Sequence, residues 1–254
     1  MTDPTATDQR AADLAARLTA VRSEVAAAVA AAGRAPGEVE LLVVTKFFPA
    51  ADVRRLIDLG ERAFGESREP EASRKIAELG DLVAGAPAGA GPGVAFDMIG
   101  GVQGKKAKTI ARWARSVHSV DRTRIVEQLA AGARAAVDDG RRTGDLGVFV
   151  QVSLDGDPAR GGVVAADLGR LADEVLAAGS LRLRGLMAIA PVGGDRERWL
   201  ADLAAIRERF LAAHPTAREL SAGMSGDLRL AIGYGSTCVR VGTAIMGARP
   251  ILSH

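Results

Sequence analysis

Lys46 closes an apolar run, Glu40-Leu41-Leu42-Val43-Val44-Thr45-Lys46, and helix-forming sequence follows at once. A lysine amine condenses with an aldehyde only as the neutral base, and desolvation at a dry strand end moves its pKa in that direction. Far downstream, Ser221-Ala222-Gly223-Met224-Ser225-Gly226-Asp227 places a serine just before a short helical stretch. Ser225 reads as its N-cap, and the unpaired N–H groups and positive dipole end of such a start suit a phosphate. Arg240-Val241-Gly242-Thr243 ends the last apolar run in a small-residue loop whose amides could also face an anion. Each feature alone has a plain alternative: a snorkelling surface lysine, a serine that only caps, glycines that only turn the chain.

The elements that must position these groups alternate. A Leu/Val run flanked by helical patterns reads as a strand buried on both faces, as parallel sheets require. After an alanine-rich helix from Asp8 to Gly33, with Leu14, Leu18, Val21, Val25 and Val29 on one face, strands are expected at 40–46, 63–66, 96–100, 116–120, 146–153, 181–189, near 219–220, and at 237–241. A helix or turn follows each. Eight such units in 254 residues favour a closed (β/α)8 barrel over an open doubly wound sheet, and no GxGxxG follows the first strand. The expected organisation is a loose tail at 1–7 and one TIM-barrel domain over 8–254, with an extra N-terminal helix and a Gly/Ala/Pro-rich surface loop at 83–95.

In such a barrel, strand-end residues share one mouth, and phosphate sites recur after strands seven and eight. A phosphate held there, across from a strand-one lysine, points to pyridoxal 5′-phosphate (PLP). Such a cofactor also needs a ring support and a partner for its pyridine nitrogen. Met187, at the end of strand six, could offer an apolar face, although a strand-end methionine is commonly plain core. Arg240 could donate to the ring nitrogen; it cannot lose its proton, so the pyridine would stay unprotonated and be a poorer electron sink.

The chain resembles the pyridoxal phosphate homeostasis protein family, whose barrel is shared with the amino-terminal domain of alanine racemase. The matching stretches are Val44-Thr45-Lys46, Phe64-Gly65-Glu66, Ile99-Gly100-Gly101-Val102-Gln103, Leu183-Arg184-Gly185-Leu186-Met187-Ala188-Ile189, Gly223-Met224-Ser225, Gly235-Ser236-Thr237 and Val239 through Gly247. They run from strand one to strand eight. The resemblance implies that Lys46 forms the internal aldimine with PLP, that Ser225, Gly242 and Thr243 hold the phosphate, and that Arg240 meets the pyridine nitrogen. Three positions depart from the family pattern: Ser67 where Asn is usual, Gln103-Gly104-Lys105-Lys106 where Gln-Ser-Asn-Lys is usual, and Phe96-Asp97 in place of a Trp-His pair. These departures bear on substrate-side and surface details.

Composition excludes several classes. The net charge is only +2, and the scarce aromatics are not interleaved with basic residues, so nucleic-acid binding is not expected. Cys238 is the only cysteine, and His118, His214 and His254 lack metal-ligand spacing. Asp155, Asp157 and Arg160 read as a solvated charged loop, and Lys105, Lys106 and Lys108 as a solvated helix face. No signal peptide and no stretch near ~18 apolar residues is seen, so a cytoplasmic protein without a membrane span is expected, with a monomer mildly favoured.

Racemases of this barrel type carry a second β-rich domain that contributes a base, and the chain stops at His254, soon after strand eight. Inverting an α-carbon needs two positioned bases. Lys46 supplies one, and no tyrosine or histidine is obviously placed for the other. The expectation is therefore a non-enzymatic PLP carrier serving PLP homeostasis and PLP-dependent apoenzymes. A small amino-acid racemase, or a barrel enzyme with an aldolase-type lysine acting on a phosphorylated metabolite, are the alternatives.

Overall fold

A computed structural model describes residues 4–83, 93–191 and 193–249. Eight parallel strands close into one barrel in sequence order. They are β1 (Glu40–Val44), β2 (Ala63–Glu66), β3 (Ala95–Met98), β4 (Ala114–Val120), β5 (Leu146–Val152), β6 (Leu181–Ala188), β7 (Glu219–Ser221) and β8 (Cys238–Val241). The helices are α1 (Pro4–Ala31), α2 (Ala50–Asp58), α3 (Glu71–Leu79), α4 (Ala107–Trp113), α5 (Thr123–Asp138), α6 (Leu168–Ala177), α7 (Arg196–Ala213), α8 (Leu228–Gly233) and α9 (Thr243–Met246). The expected (β/α)8 barrel with an additional N-terminal helix is what forms. Closure comes from β8, which pairs with β1 through Glu40↔Cys238 and Leu42↔Arg240.

One expectation shifts. α1 begins at Pro4, so part of the expected 1–7 tail is helical, because nothing before Asp8 other than Pro4 opposes a helix and proline is tolerated in a first turn. Residues 1–3 lie outside the described residues. So do 84–92, most of the expected 83–95 loop.

The helices bury one face against the outer side of the barrel. Val117, Val148, Val150 and Leu186 of β4–β6 pack with Ile110, Leu129, Leu171 and Val175. Leu14, Leu18 and Val21 of α1 pack with Val53, Leu56, Ile232 and Ile245, so this helix caps the side where α8 and α9 are short. The lumen is different. Leu42, Ala63 and Cys238 form a small apolar group there, but Asp97, Ser116, His118, Ser221 and Arg240 are also buried. Their hydrogen bonds join β3 and β4 to β7 and β8 across the barrel. At the end where the strands begin, Arg115 bonds Glu40 at 2.6 Å and also Asp97, and Arg184 bonds Glu219. Bulky branched side chains usually fill this space; here charged pairs close it.

Candidate functional site

Lys46 stands two residues past β1, at the mouth where the strands end, and is half-buried. Among the described residues it has no carboxylate partner. Burial lowers its pKa most, Arg249, Arg68 and Arg240 lower it further by charge repulsion, and Glu66 opposes them. The amine is thus biased towards its neutral form. Phe47, next in the chain, has φ +71°, a conformation costing a non-glycine residue roughly 1–3 kcal/mol. Its N–H donates to Glu71 Oε1 at 2.8 Å, which helps hold the turn. Its ring is flanked by three cations: Arg249 at 4.9 Å, Arg68 at 5.1 Å and Lys46 Nζ at 5.9 Å.

Beneath the lysine lies a buried polar group. The Thr45 hydroxyl donates to Glu66 Oε1 at 2.7 Å, and Lys75 Nζ donates to the same oxygen at 2.7 Å and to the Thr45 carbonyl at 2.9 Å. Lys75 thereby anchors the β1 end that carries Lys46. Burial raises the Glu66 pKa despite Lys75 and Thr45.

The opposite wall comes from the loops after β7 and β8. The Arg240 N–H donates to the Gly223 carbonyl at 2.9 Å, pinning the loop that carries Ser225 against β8. Gly223 has φ +91°, and a Cβ there would meet Ala231 Cβ at 2.6 Å, so only glycine makes this turn without displacing α8. Ser225 is exposed in a turn and does not cap the helix, which corrects the N-cap expectation. The N-cap position is Asp227, whose carboxylate turns back to accept from the Met224 N–H at 2.6 Å. Gly242 precedes α9 and Thr243 begins it, and a Cβ on Gly242 would touch Val44 Cβ at 3.3 Å, so this loop lies against the end of β1.

Arg240 sits between the two walls, buried on β8. Nη1 donates to Ser221 Oγ at 2.6 Å and Nη2 to the Ala188 carbonyl at 2.9 Å, and its other donors have no partner among the described residues. Met187 is buried, in register with Ser221. A separate cavity of about 400 Å³ opens beside the mouth, lined by Ser67, Arg68, Glu69, Met98, Gln103 and Lys106. Two departures from the family pattern, Ser67 and the Gln103–Lys106 stretch, therefore face this neighbouring cavity. The third does not: Asp97 is fully buried in the lumen, not on the substrate side or surface, because its strand position points inward. Arg160 ties two loops, reaching Asp155 at 3.2 Å and the Ala190 carbonyl at 2.9 Å.

Residues 17–250 match the family described as alanine racemase, N-terminal domain. Over 254 residues the chain is 48% identical to the pyridoxal phosphate homeostasis protein of Mycobacterium tuberculosis H37Rv, covering 99% of this chain and 98% of that one. It is 34% identical to the protein of that name from Escherichia coli K12, over 93% of this chain and 97% of that one. The chain belongs to the pyridoxal phosphate homeostasis protein family. Among solved structures, PipY of Synechococcus elongatus, determined with PLP bound, is similar with a TM-score of 0.76 and 31% identity over 92% of this chain and all of that one. Alanine racemase from Corynebacterium glutamicum shares the fold at 12% identity and a TM-score of 0.66, and this chain covers 98% of its own length but 62% of that enzyme's.

Several residues around the candidate site are not singled out by the sequence. Lys75 was visible only as a lysine on the buried α3 face with Ala72 and Leu79. Arg68 and Arg249 carry no local signal. His118 lies in Ser116-Val117-His118-Ser119-Val120 and Ser221 in Glu219-Leu220-Ser221-Ala222, and neither stretch declares the other as a partner.

Proposed function

We propose that this protein binds PLP at the barrel mouth and serves intracellular PLP homeostasis by holding and releasing the cofactor. The observation that carries the reading is the Lys46 amine: half-buried, without a carboxylate partner among the described residues, and flanked by cations that lower its pKa. The donor set fits the cofactor's parts, with an amine for an aldehyde, a guanidinium with free donors for a ring nitrogen, and exposed hydroxyls with loop amides for a phosphate. The name of the relatives and the PLP-bound PipY structure support the same assignment.

PLP when bound supplies an aldehyde that bonds covalently to a primary amine and a ring able to withdraw electrons. Lys46 presents neutral Nζ to that aldehyde. Arg240 would donate to the pyridine nitrogen and, being unable to lose its proton, would keep that nitrogen unprotonated. Ser225, Gly242 and Thr243 would hold the phosphate, and Met187 would offer the ring an apolar face. Among the described residues no histidine or tyrosine stands with Lys46 as a second base: His118 is buried below Arg240, and Tyr234 donates to Glu197 on the outer helices at 3.2 Å. This supports a carrier without robust catalysis, and the relatives are named for homeostasis, not for a reaction. No helix among the described residues is long and apolar enough to cross a membrane. We place the protein in the cytoplasm as a monomer that exchanges PLP with apoenzymes.

The test is borohydride reduction of PLP-loaded protein followed by peptide mass spectrometry. An adduct on Lys46, absent from Lys46→Ala, is expected; an adduct elsewhere or none overturns the site. Racemisation of alanine, serine or lysine well above the Lys46→Ala level would overturn the carrier reading.

A further inference from the structure

Below the mouth, one unbroken chain of hydrogen bonds runs from Arg240 to Asp97. Arg240 Nη1 donates to Ser221 Oγ at 2.6 Å, and Ser221 Oγ lies 2.9 Å from His118 Nδ1. His118 Nε2 lies 2.9 Å from Ser116 Oγ, which donates to Asp97 Oδ1 at 2.9 Å. The two ends decide every proton between them. Arginine only donates, and an ionised aspartate only accepts. Burial alone would raise the Asp97 pKa, but Arg115 and His118 outweigh it and hold the carboxyl far below the usual range.

Ser116 spends its hydrogen on Asp97, so it accepts from His118, and Nε2 carries the imidazole hydrogen. Burial lowers the His118 pKa, with Arg240 and Arg184 acting the same way and Asp97 opposing, which keeps the ring neutral. Nδ1 is then bare and accepts from Ser221, whose oxygen is left to receive Arg240. Each hydrogen points towards Asp97. The groups facing His118 are Asp97 on β3, Ser116 on its own strand, Phe149 on β5 (ring centroids 4.2 Å apart), Arg184 on β6, Ser221 on β7 and Arg240 on β8.

We propose that Asp97, Ser116, His118 and Ser221 form a positioning relay that locks the Arg240 guanidinium in the orientation that meets the cofactor's pyridine nitrogen. The proposal rests on the PLP reading of the mouth. An arginine side chain has many rotamers, and a guanidinium held at Nη1 by Ser221 and at Nη2 by the Ala188 carbonyl keeps one. Protonating His118 would put a hydrogen on Nδ1 and compete with Arg240 for the Ser221 oxygen. The relay also gives Asp97 a task at a position where the family pattern carries histidine.

Two measurements test it. The first is nitrogen-15 NMR of the histidines without added cofactor. His118 is expected as the neutral Nε2–H tautomer at neutral pH, and Asp97→Asn, which removes the charge and can donate, is expected to shift it towards the Nδ1–H form. A charged or Nδ1–H His118 in the unaltered protein overturns the relay, with no variant required. The second uses PLP labelled with nitrogen-15 in its ring. In the unaltered protein the ring resonance is expected to stay at its unprotonated position into mild acid. In Ser221→Ala it is expected to move upfield as the ring takes a proton, and Ser221→Thr, which keeps the hydroxyl, is expected to restore it. A purely structural Ser221 would lower the melting temperature and leave the resonance in place, which overturns the proposal. Protein that takes up no PLP overturns the cofactor reading and with it the relay's purpose, an outcome distinct from a wrong tautomer at His118.

Discussion

Lys46 loses its proton more readily than an ordinary lysine because burial strips water from the ammonium and Arg249, Arg68 and Arg240 repel its charge. Condensation with PLP uses the neutral amine, so its rate should rise with pH and level off at lower pH than for an exposed lysine. Arg68→Ala or Arg249→Ala should move that rise to higher pH, since either removes a repelling charge; stopped-flow absorbance of PLP uptake across pH checks the direction. Lys46→Arg keeps the positive charge but offers no neutral nitrogen. It should abolish the reducible adduct while the urea unfolding free energy changes by no more than ~0.5 kcal/mol, as for a substitution away from the core.

The β1 end depends on α3 through Lys75, which lies buried against Glu66 at 2.7 Å. Lys75→Ala leaves Glu66 buried without its cation, a change that typically costs ~3–5 kcal/mol. Equilibrium urea unfolding should show that loss. The double variant Lys75→Met with Glu66→Gln should recover much of it, because replacing a whole buried pair by neutral groups is often nearly free. Across the mouth, the loop after β7 depends on Gly223. Gly223→Ala meets both the positive φ and Ala231, and should cost ~1–3 kcal/mol while weakening PLP retention, measured by dialysis, through displacement of Ser225.

The barrel as a whole is closed at its strand-start end by charges, with Arg115 between Glu40 and Asp97. Asp97 has a folded pKa below its unfolded value, so its pairing contributes stability above the unfolded pKa, and that contribution is lost only as pH falls through the depressed folded value. It is therefore intact across the neutral and mildly acid range. In Arg115→Met the largest remaining influence on Asp97 is burial, which raises its pKa. The variant should lose ~3–5 kcal/mol near neutral pH. The gap to the unaltered protein should narrow in mild acid, as Asp97 binds a proton in the folded state. Denaturant melts at the two pH values test the sign.

The order of strands and helices was legible because strands buried on both faces leave continuous Val/Leu runs and helices leave a 3.6-residue stripe, as Leu14, Leu18 and Val21 do in α1. The strand-end place of Lys46 and the loops holding Ser225 and Gly242 followed from that order alone. What barrel closure decided was which side chains meet inside. A strand hidden on both faces does not declare which face is the lumen, so Arg240 was readable as a donor to a ring nitrogen, but nothing in the sequence joined Asp97, Ser116, His118 and Ser221 to it. Their contacts span up to 103 positions of chain, as between His118 and Ser221. Such a chain of hydrogen bonds exists only once β8 pairs with β1 and all five side chains are shut away from water together.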